Sequence, residues 1–181
     1  GITPHADHFA AVRTIRAVLA DGSIYRSAMA ESGADLVDAA YKWGTGPYLD
    51  GLYSQGGFGI VTEMTLALAP RPERIEAFAI EIEDDDRLEA AVTGIRDIMQ
   101  MAGGCVGGIN LINRLRLLAM TQPCPLDQAI PGLALSPDLV DRMGKAAGLP
   151  RWLLVGALYG DRQMVAGLRR DMKRRLAPVG A

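Results

Sequence analysis

Gly46-Pro-Tyr-Leu-Asp-Gly-Leu-Tyr-Ser-Gln-Gly-Gly-Phe-Gly-Ile-Val-Thr62 runs from a glycine-dense turn straight into an alternating apolar stretch. Five glycines, at 46, 51, 56, 57 and 59, fall within fourteen residues. Glycine admits positive φ and leaves peptide N–H groups bare, so another group can come close to the backbone. The spacing predicts a loop that either approaches a cofactor or packs tightly on a neighbour, and then delivers the chain into a strand. That strand spans 60–69, where Pro70 and Pro72 stop it. Ile60, Thr62, Met64, Leu66 and Leu68 alternate with Val61, Glu63, Thr65 and Ala67, which predicts one strongly apolar face lying on a core. Trp43, Tyr48, Tyr53 and Phe58 flank the loop, where aromatic rings either stack on a planar ligand or pin the loop down.

Upstream, residues 12–19 and 23–29 read as a hairpin turned by Asp21-Gly22, followed by a short helix over 35–43. Pro70-Arg-Pro-Glu73 makes a stiff, extended connector and is the best domain boundary. Beyond it, strand 75–83 sets Phe78, Ile80 and Ile82 on one face. Helix 86–102 follows, with Leu88, Val92, Ile95, Met99 and Ala102 along one stripe. Residues 105–120 are apolar and ambiguous, with a helical bias from Asn110 to Met120. A proline-rich loop covers 121–135. Helix 137–147 has Ser136 at its N-cap, Pro137 in its first turn and Gly148 past its end. Strand 151–159 and helix 161–176, with Val165, Leu168, Met172 and Leu176 on one face, close the chain. The class is α+β, and the second part looks incomplete because few strands are available for its sheet.

The chain has 181 residues, 49% of them hydrophobic and 22% charged, with a formal net charge of −2. These values suit an ordinary globular protein with a real core, in one large domain or two small ones. Basic residues are neither in excess nor interleaved with aromatics, so a nucleic-acid partner is not expected. The run Arg169-Arg-Asp-Met-Lys-Arg-Arg175 reads as a solvated helix end or a polyanion patch. No apolar run is long enough to span a bilayer. Cys105 and Cys124 are far apart and without a nearby histidine, which argues against a structural zinc site and fits free thiols in a reducing cytoplasm. The chain opens at Gly1-Ile2-Thr3-Pro4, already in motif-like sequence, which reads as a cut through a longer protein.

Few residues offer chemistry. His5, Asp7 and His8 could supply at most three metal ligands from one loop. Asp7 is alternatively a general acid–base or charge-stabilising group, and the plain reading is a surface turn before the first strand. Asp84-Asp85-Asp86 reads as a solvated turn whose last member caps the following helix, with magnesium the remote alternative. Neither a nucleophile elbow nor a phosphate loop is present, and Gly56-Gly-Phe-Gly59 precedes a strand rather than a helix, so the Rossmann fingerprint does not apply.

Three stretches together resemble the flavoprotein family of vanillyl-alcohol oxidase and p-cresol methylhydroxylase, within the FAD-linked oxidases. The 46–62 loop is similar to that family's loop almost position for position. Thr3-Pro-His-Ala-Asp-His8 is similar to its Thr-Pro-Tyr-Gly-Asp-His, and Gly156-Ala-Leu-Tyr-Gly160 resembles a strand end in its substrate domain. The Gly-Ile-Val-Thr ending is shared by the wider superfamily; the longer match points to the phenol-oxidising branch. The resemblance implies that residues 1–70 are the C-terminal part of an FAD-binding domain of the p-cresol methylhydroxylase type, its second subdomain. Residues 73–181 would be the N-terminal part of a ferredoxin-like substrate (cap) domain.

By the same resemblance Asp7 matches a carboxylate near flavin N5 that stabilises charge as hydride leaves a benzylic carbon. Gly59, Ile60 and Val61 match a strand start whose backbone contacts the adenine end of FAD, and Thr3, Pro4 and Gly56 fall in the same cofactor-facing motifs. His5 in place of tyrosine, Ala6 in place of glycine, and Gly57 where a polar side chain is common, depart from the pattern. The diphosphate loop would precede Gly1. The flavin attachment site and phenolate-binding tyrosine and arginine would lie beyond Ala181, so the FAD site in this chain is expected to be incomplete. The implied function is an FAD-dependent oxidoreductase taking hydride from a 4-substituted phenol or related alcohol, with a small aromatic substrate, no nucleic acid or membrane, and open edges that favour homo-oligomers. The alternative is a non-catalytic α+β binding module derived from a flavoprotein.

Overall fold

The computed structural model describes residues 7–125, 128 and 132–180. The described chain divides into two compact units, one ending at Arg71 and the other beginning at Pro72.

In the first unit a 3-10 turn, His8–Ala11, leads into β1 (Val12–Val18). Asp21-Gly22 turns the chain, with Gly22 at φ +84 and Asp21 accepting hydrogen bonds from the N–H and hydroxyl of Ser23. The returning strand β2 (Ile24–Tyr25) is only two residues, shorter than the predicted 23–29. Its extension is lost because Ser27 is an N-cap, accepting from the N–H of Ala30, and starts α1 (Ala28–Glu31). Helix α2 (Asp35–Ala40) stops three residues short of the predicted end. After the glycine loop, β3 (Ile60–Leu66) pairs antiparallel with β1, giving the order β2-β1-β3.

The prediction for β3 fails at one point. Ile60, Met64, Leu66 and Leu68 were expected on a core, yet they are 74%, 49%, 47% and 84% exposed. The buried cluster instead gathers Val12, Ile15 and Ala17 with Phe9, Tyr25, Tyr53 and Val61 packed against it. Alternation shows which residues share a face, but it does not say which face acquires a covering layer.

The second unit is a three-stranded antiparallel sheet in the order β4-β6-β5, from β4 (Arg74–Ile82), β5 (Val106–Asn113) and β6 (Trp152–Gly160). Ile82, Leu154, Leu158, Val106 and Ile109 form its buried face, packed against α3 (Leu88–Ala102) and α6 (Arg162–Leu176). Ile75, Ala77, Ala79 and Glu81 of β4 and Asn110 of β5 are exposed. Residues 106–113, predicted with a helical bias from Asn110, are strand. The helix α4 (Arg114–Thr121) begins only where Asn113 caps it by accepting from the N–H of Arg116. Helix α5 (Pro137–Ala146) has the predicted Ser136 cap, and Gly148 lies at φ +64.

The buried stripe of α3 keeps the predicted Ala102, with Ile95 and Met99 packed on the core, but is centred beside the predicted one. Ala91, Gly94, Ile98 and Ala102 are buried while Val92 is exposed, because α6 comes so close that a Cβ at Gly94 would meet Leu176 Cδ2 at 2.9 Å. Asp86 does not cap α3, contrary to expectation. Asp85 instead accepts from the Trp152 indole N–H at 2.8 Å and pairs with Arg151. The basic run on α6 is partly neutralised, Arg169 by Glu76, Arg174 by Asp171 and Arg175 by Asp97.

Two glycines of this unit should respond oppositely to alanine. A Cβ at Gly156 would collide with the Gly108 carbonyl and the Phe78 ring, whereas a Cβ at Gly167 in α6 meets open space. Gly156→Ala is expected to destabilise the unit by about 1–3 kcal/mol through overpacking. Gly167→Ala should stabilise it by up to about 1 kcal/mol through helix propensity. Denaturant titration followed by Trp152 fluorescence measures both, and equal midpoints would refute the close strand packing.

Candidate flavin-facing loop and its buried carboxylates

Three sequence-derived site residues open the chain. Thr3 and Pro4 lie outside the described residues, as does His5. Asp7 is exposed, and its Oδ1 accepts from the N–H of Ala10 at 3.1 Å, so it caps the turn before β1. No group of three potential metal ligands occurs among the described residues.

The other site residues sit where the loop enters β3. Ile60 lies opposite Val18 and Val61 opposite Ala17. Since β3 is an edge strand, its alternate peptide groups face away from β1. Phe58 and Ile60 are 61% and 74% exposed beside this bare edge.

The loop glycines divide by role. Only Gly46 of the five has positive φ, at +80. A Cβ at Gly59 would meet the Val18 carbonyl oxygen at 2.8 Å and the Tyr53 ring at 3.2 Å. One at Gly56 would meet Phe58 Cδ2 at 2.6 Å and the Leu52 oxygen at 2.8 Å. The space beside these two glycines is therefore filled by protein, whereas Gly51 and Gly57 face open space. Gly57 thus leaves open space beside its backbone, next to the exposed start of β3.

The aromatics pack the loop against itself and the sheet. Tyr53 lies 4.9 Å from Tyr25, and Trp43 and Phe9 lie 4.9 and 6.5 Å from Tyr48. Lys42 sits over Phe9 and Tyr48 at 4.9 and 5.3 Å while donating to the Phe9 carbonyl.

Beneath the loop lie two buried carboxylates that were not singled out from the sequence. Asp50 is 2% exposed; its Oδ2 accepts from the N–H of Ile15 at 3.0 Å and its Oδ1 from the Tyr25 hydroxyl at 2.5 Å. Asp38 of α2 accepts from the Thr14 hydroxyl at 2.6 Å and from the Ser27 hydroxyl. Both line a cleft of about 260 Å³ with Tyr25, Ser27, Gly46 and Tyr48. Burial pushes the Asp50 carboxyl above its ordinary range and the Asp38 charge adds to the rise, although the Tyr25 and Ile15 hydrogen bonds and Lys42 oppose it. Burial likewise raises the Tyr25 phenol and pushes Tyr48 up to about 12. The Tyr48 hydroxyl is buried and has no hydrogen-bond partner among the described residues. Asp50-Gly51 reads in sequence as a turn pair; the one available signal was a charge set between Leu49 and Leu52.

Comparison with known proteins accounts for the whole chain. It is 31% identical over 179 residues, 98% of its length, to the 1'-carboxy-chondrochloren decarboxylase of Chondromyces crocatus. It is 29% identical over 175 residues, 91% of its length, to the flavoprotein subunit of the hydroxylating 4-cresol dehydrogenase of Pseudomonas putida. These matches cover 33% and 32% of the relatives, so the chain spans about a third of their length. Among solved structures, substrate-bound p-cresol methylhydroxylase superposes with a TM-score of 0.79 at 25% identity, covering 99% of this chain and 35% of that one. The isoeugenol complex of 4-ethylphenol oxidase from Gulosibacter chungangensis gives 0.80 at 26% identity, covering 99% and 34%. No family model matches the sequence.

The raised Asp50 carboxyl has a consequence for stability. A carboxyl raised in the folded state contributes its full stability below the ordinary value of 3.8 and loses it as pH rises through the folded value. The stability advantage of the native chain over Asp50→Asn should therefore shrink from about pH 4 towards pH 7. Trp43 fluorescence in a Trp152→Phe background reads the first unit; an advantage that grows with pH would contradict the assignment.

Proposed function

From a chain that belongs to the p-cresol methylhydroxylase-type family of FAD-linked oxidases, we propose a part in an FAD-dependent oxidoreductase that takes hydride from a 4-substituted phenol or related alcohol. Residues 1–70 are read as the C-terminal part of the FAD-binding domain and 73–181 as the N-terminal part of the substrate (cap) domain. The observation that carries this reading is the 46–62 loop. It brings the open Gly57 peptide, the exposed Phe58 and the bare edge of Ile60 and Val61 to one place, a donor set suited to the edge of a planar heterocycle. Peptide groups at Gly56, Gly57, Gly59, Ile60 and Val61 would hold the cofactor, with Thr3, Pro4 and Asp7 contributing from the opening segment. FAD bound there would supply the hydride acceptor, N5.

Asp7 is the charge-bearing residue of this reading. Its Oδ1 is committed to the turn at Ala10, which fixes the carboxylate in orientation. A fixed carboxylate stabilises positive charge as it develops on the substrate carbon. Among the described residues no helix is long and apolar enough to cross a membrane, and Cys105 and Cys124 are free. One relative is a decarboxylase by name and another a hydroxylating dehydrogenase, so the substrate panel should hold carboxylated as well as simple 4-alkyl phenols.

The test is the full-length protein with that panel, followed by its flavin spectrum. Bleaching of the oxidised band by a phenol is expected, and Asp7→Ala should slow it by roughly 10²–10³-fold. An unchanged reduction rate would remove Asp7 from the chemistry. A full-length protein with no flavin absorbance would leave the non-catalytic binding module.

A further inference from the structure

Resting on the reading of the 46–62 loop as cofactor-facing, we infer that Asp50 is a positioning residue that sets the loop's backbone against the adenine end of FAD through its clamps on β1 and β2. The clamps are the Ile15 N–H at 3.0 Å and the Tyr25 hydroxyl at 2.5 Å, one from each strand. With β2 only two residues long, its pairing with β1 is confined to Ala17 and Val18, and the Ile15 N–H goes to the Asp50 carboxylate instead. The side chain thus continues a strand edge that the backbone abandons.

From Asp50 a continuous set of contacts leads to the exposed edge. Asp50 begins the 3-10 turn Asp50–Tyr53, and the Ser54 hydroxyl that follows it donates back to the Gly51 carbonyl. The Tyr53 ring packs on Tyr25, the residue Asp50 holds, at 4.9 Å. Tyr53 in turn lies where a side chain at Gly59 would be, and Gly59 rests on the Val18 carbonyl just before Ile60 pairs with Val18. Moving Asp50 therefore moves Tyr25 and Tyr53 and loosens the seat of Gly59, at the entry to the edge that faces the ligand. Asp50 touches no ligand in this arrangement and acts through the loop.

Asparagine at 50 keeps the shape and can still accept from the Ile15 N–H, but its NH2 meets the Tyr25 hydroxyl, which must turn from donor to acceptor, and the charge that strengthens both bonds is lost. In the full-length protein Asp50→Asn should speed hydrogen exchange over residues 50–61 without changing it in 74–82, 106–113 and 152–160. FAD affinity should fall by about tenfold, the scale of one buried charged hydrogen bond. FMN, which lacks the adenylate, should keep its affinity. Unchanged exchange over 50–61, unchanged FAD affinity, or equal loss for FAD and FMN overturns the inference. Gly57→Val separates it from the reading beneath: if that variant weakens FAD and Asp50→Asn does not, only the role of Asp50 falls. If neither variant weakens FAD, the loop does not face the cofactor and both fall. Should Asp50→Asn fail to fold, Tyr25→Phe removes one clamp and keeps the Ile15 bond. It should weaken FAD by a few-fold, again sparing FMN, and an FAD affinity equal to wild type overturns the inference.

Discussion

A buried carboxylate with two protein donors holds the first unit together. Hydrophobic burial there is thin: Val12, Ile15 and Ala17 are the buried apolar cluster of its sheet. A charge removed from water is costly unless it is hydrogen-bonded, so Asp50 is tolerable only where Ile15 and Tyr25 both reach it. That requirement works in both directions, because Tyr25, Ile15 and Asp50 each fix the others. Asp38 repeats the device one residue away on β1, joining α2 to Thr14 and to the Ser27 cap of α1. Two acidic side chains thus order a short hairpin, two short helices and a glycine-rich loop that apolar contact alone would hold weakly.

The second unit solves the same problem by apolar packing. Its sheet sets Ile82, Leu154, Leu158 and Val106 against Ile98, Val165 and Leu176 from two fifteen-residue helices. Glycines serve density there: Gly94 admits α6 to α3, and Gly156 leaves room for Phe78. Its buried ionic group, Arg114, is held by the Pro150 carbonyl and Asp141 next to Gly144, where a Cβ has no room. Charges are accommodated at the margin of this core, whereas in the first unit they are the framework.

That difference explains what could be read from the sequence. Strands β4 and β6 and helices α5 and α6 follow from periodicity and caps because a large core rewards the pattern: Phe78, Ile80 and Ile82 do face inward, as do Val165, Met172 and Leu176. The helical bias at Asn110 was wrong because cross-strand pairing with Val155 outweighs local propensity. Ala102, Ile95 and Met99 of the α3 stripe were legible, whereas Gly94, invisible to a hydrophobic pattern, was not, although α6 packs so near it that a Cβ would meet Leu176. In the first unit the loop and its entry into β3 were legible from glycine and aromatic content, and so was the choice between ligand approach and tight packing. Which glycine does which was not. Gly56 and Gly59 are filled by Phe58 and Tyr53, side chains brought there by the fold, while Gly57 between them stays open. Asp38 and Asp50 were missed because a carboxylate's burial depends on donors distant in sequence, Thr14 and Ile15 among them.

A glycine-rich loop has a high conformational entropy when free, and ordering it at the moment of binding would subtract directly from affinity. Such a loop can present bare peptide groups efficiently only if it is already held. Here the permissive residues and the restraints are interleaved: Gly51 beside Asp50, Gly56 under Phe58, Gly59 between Tyr53 and the Val18 carbonyl. Among the described residues nothing lies beside Gly57, and the outer edge of β3 is unpaired. The glycines therefore do not make the segment loose. They let it pass close enough to β1 and the tyrosines to be clamped, and on the proposed reading the clamped loop needs no further ordering to meet a flat ligand.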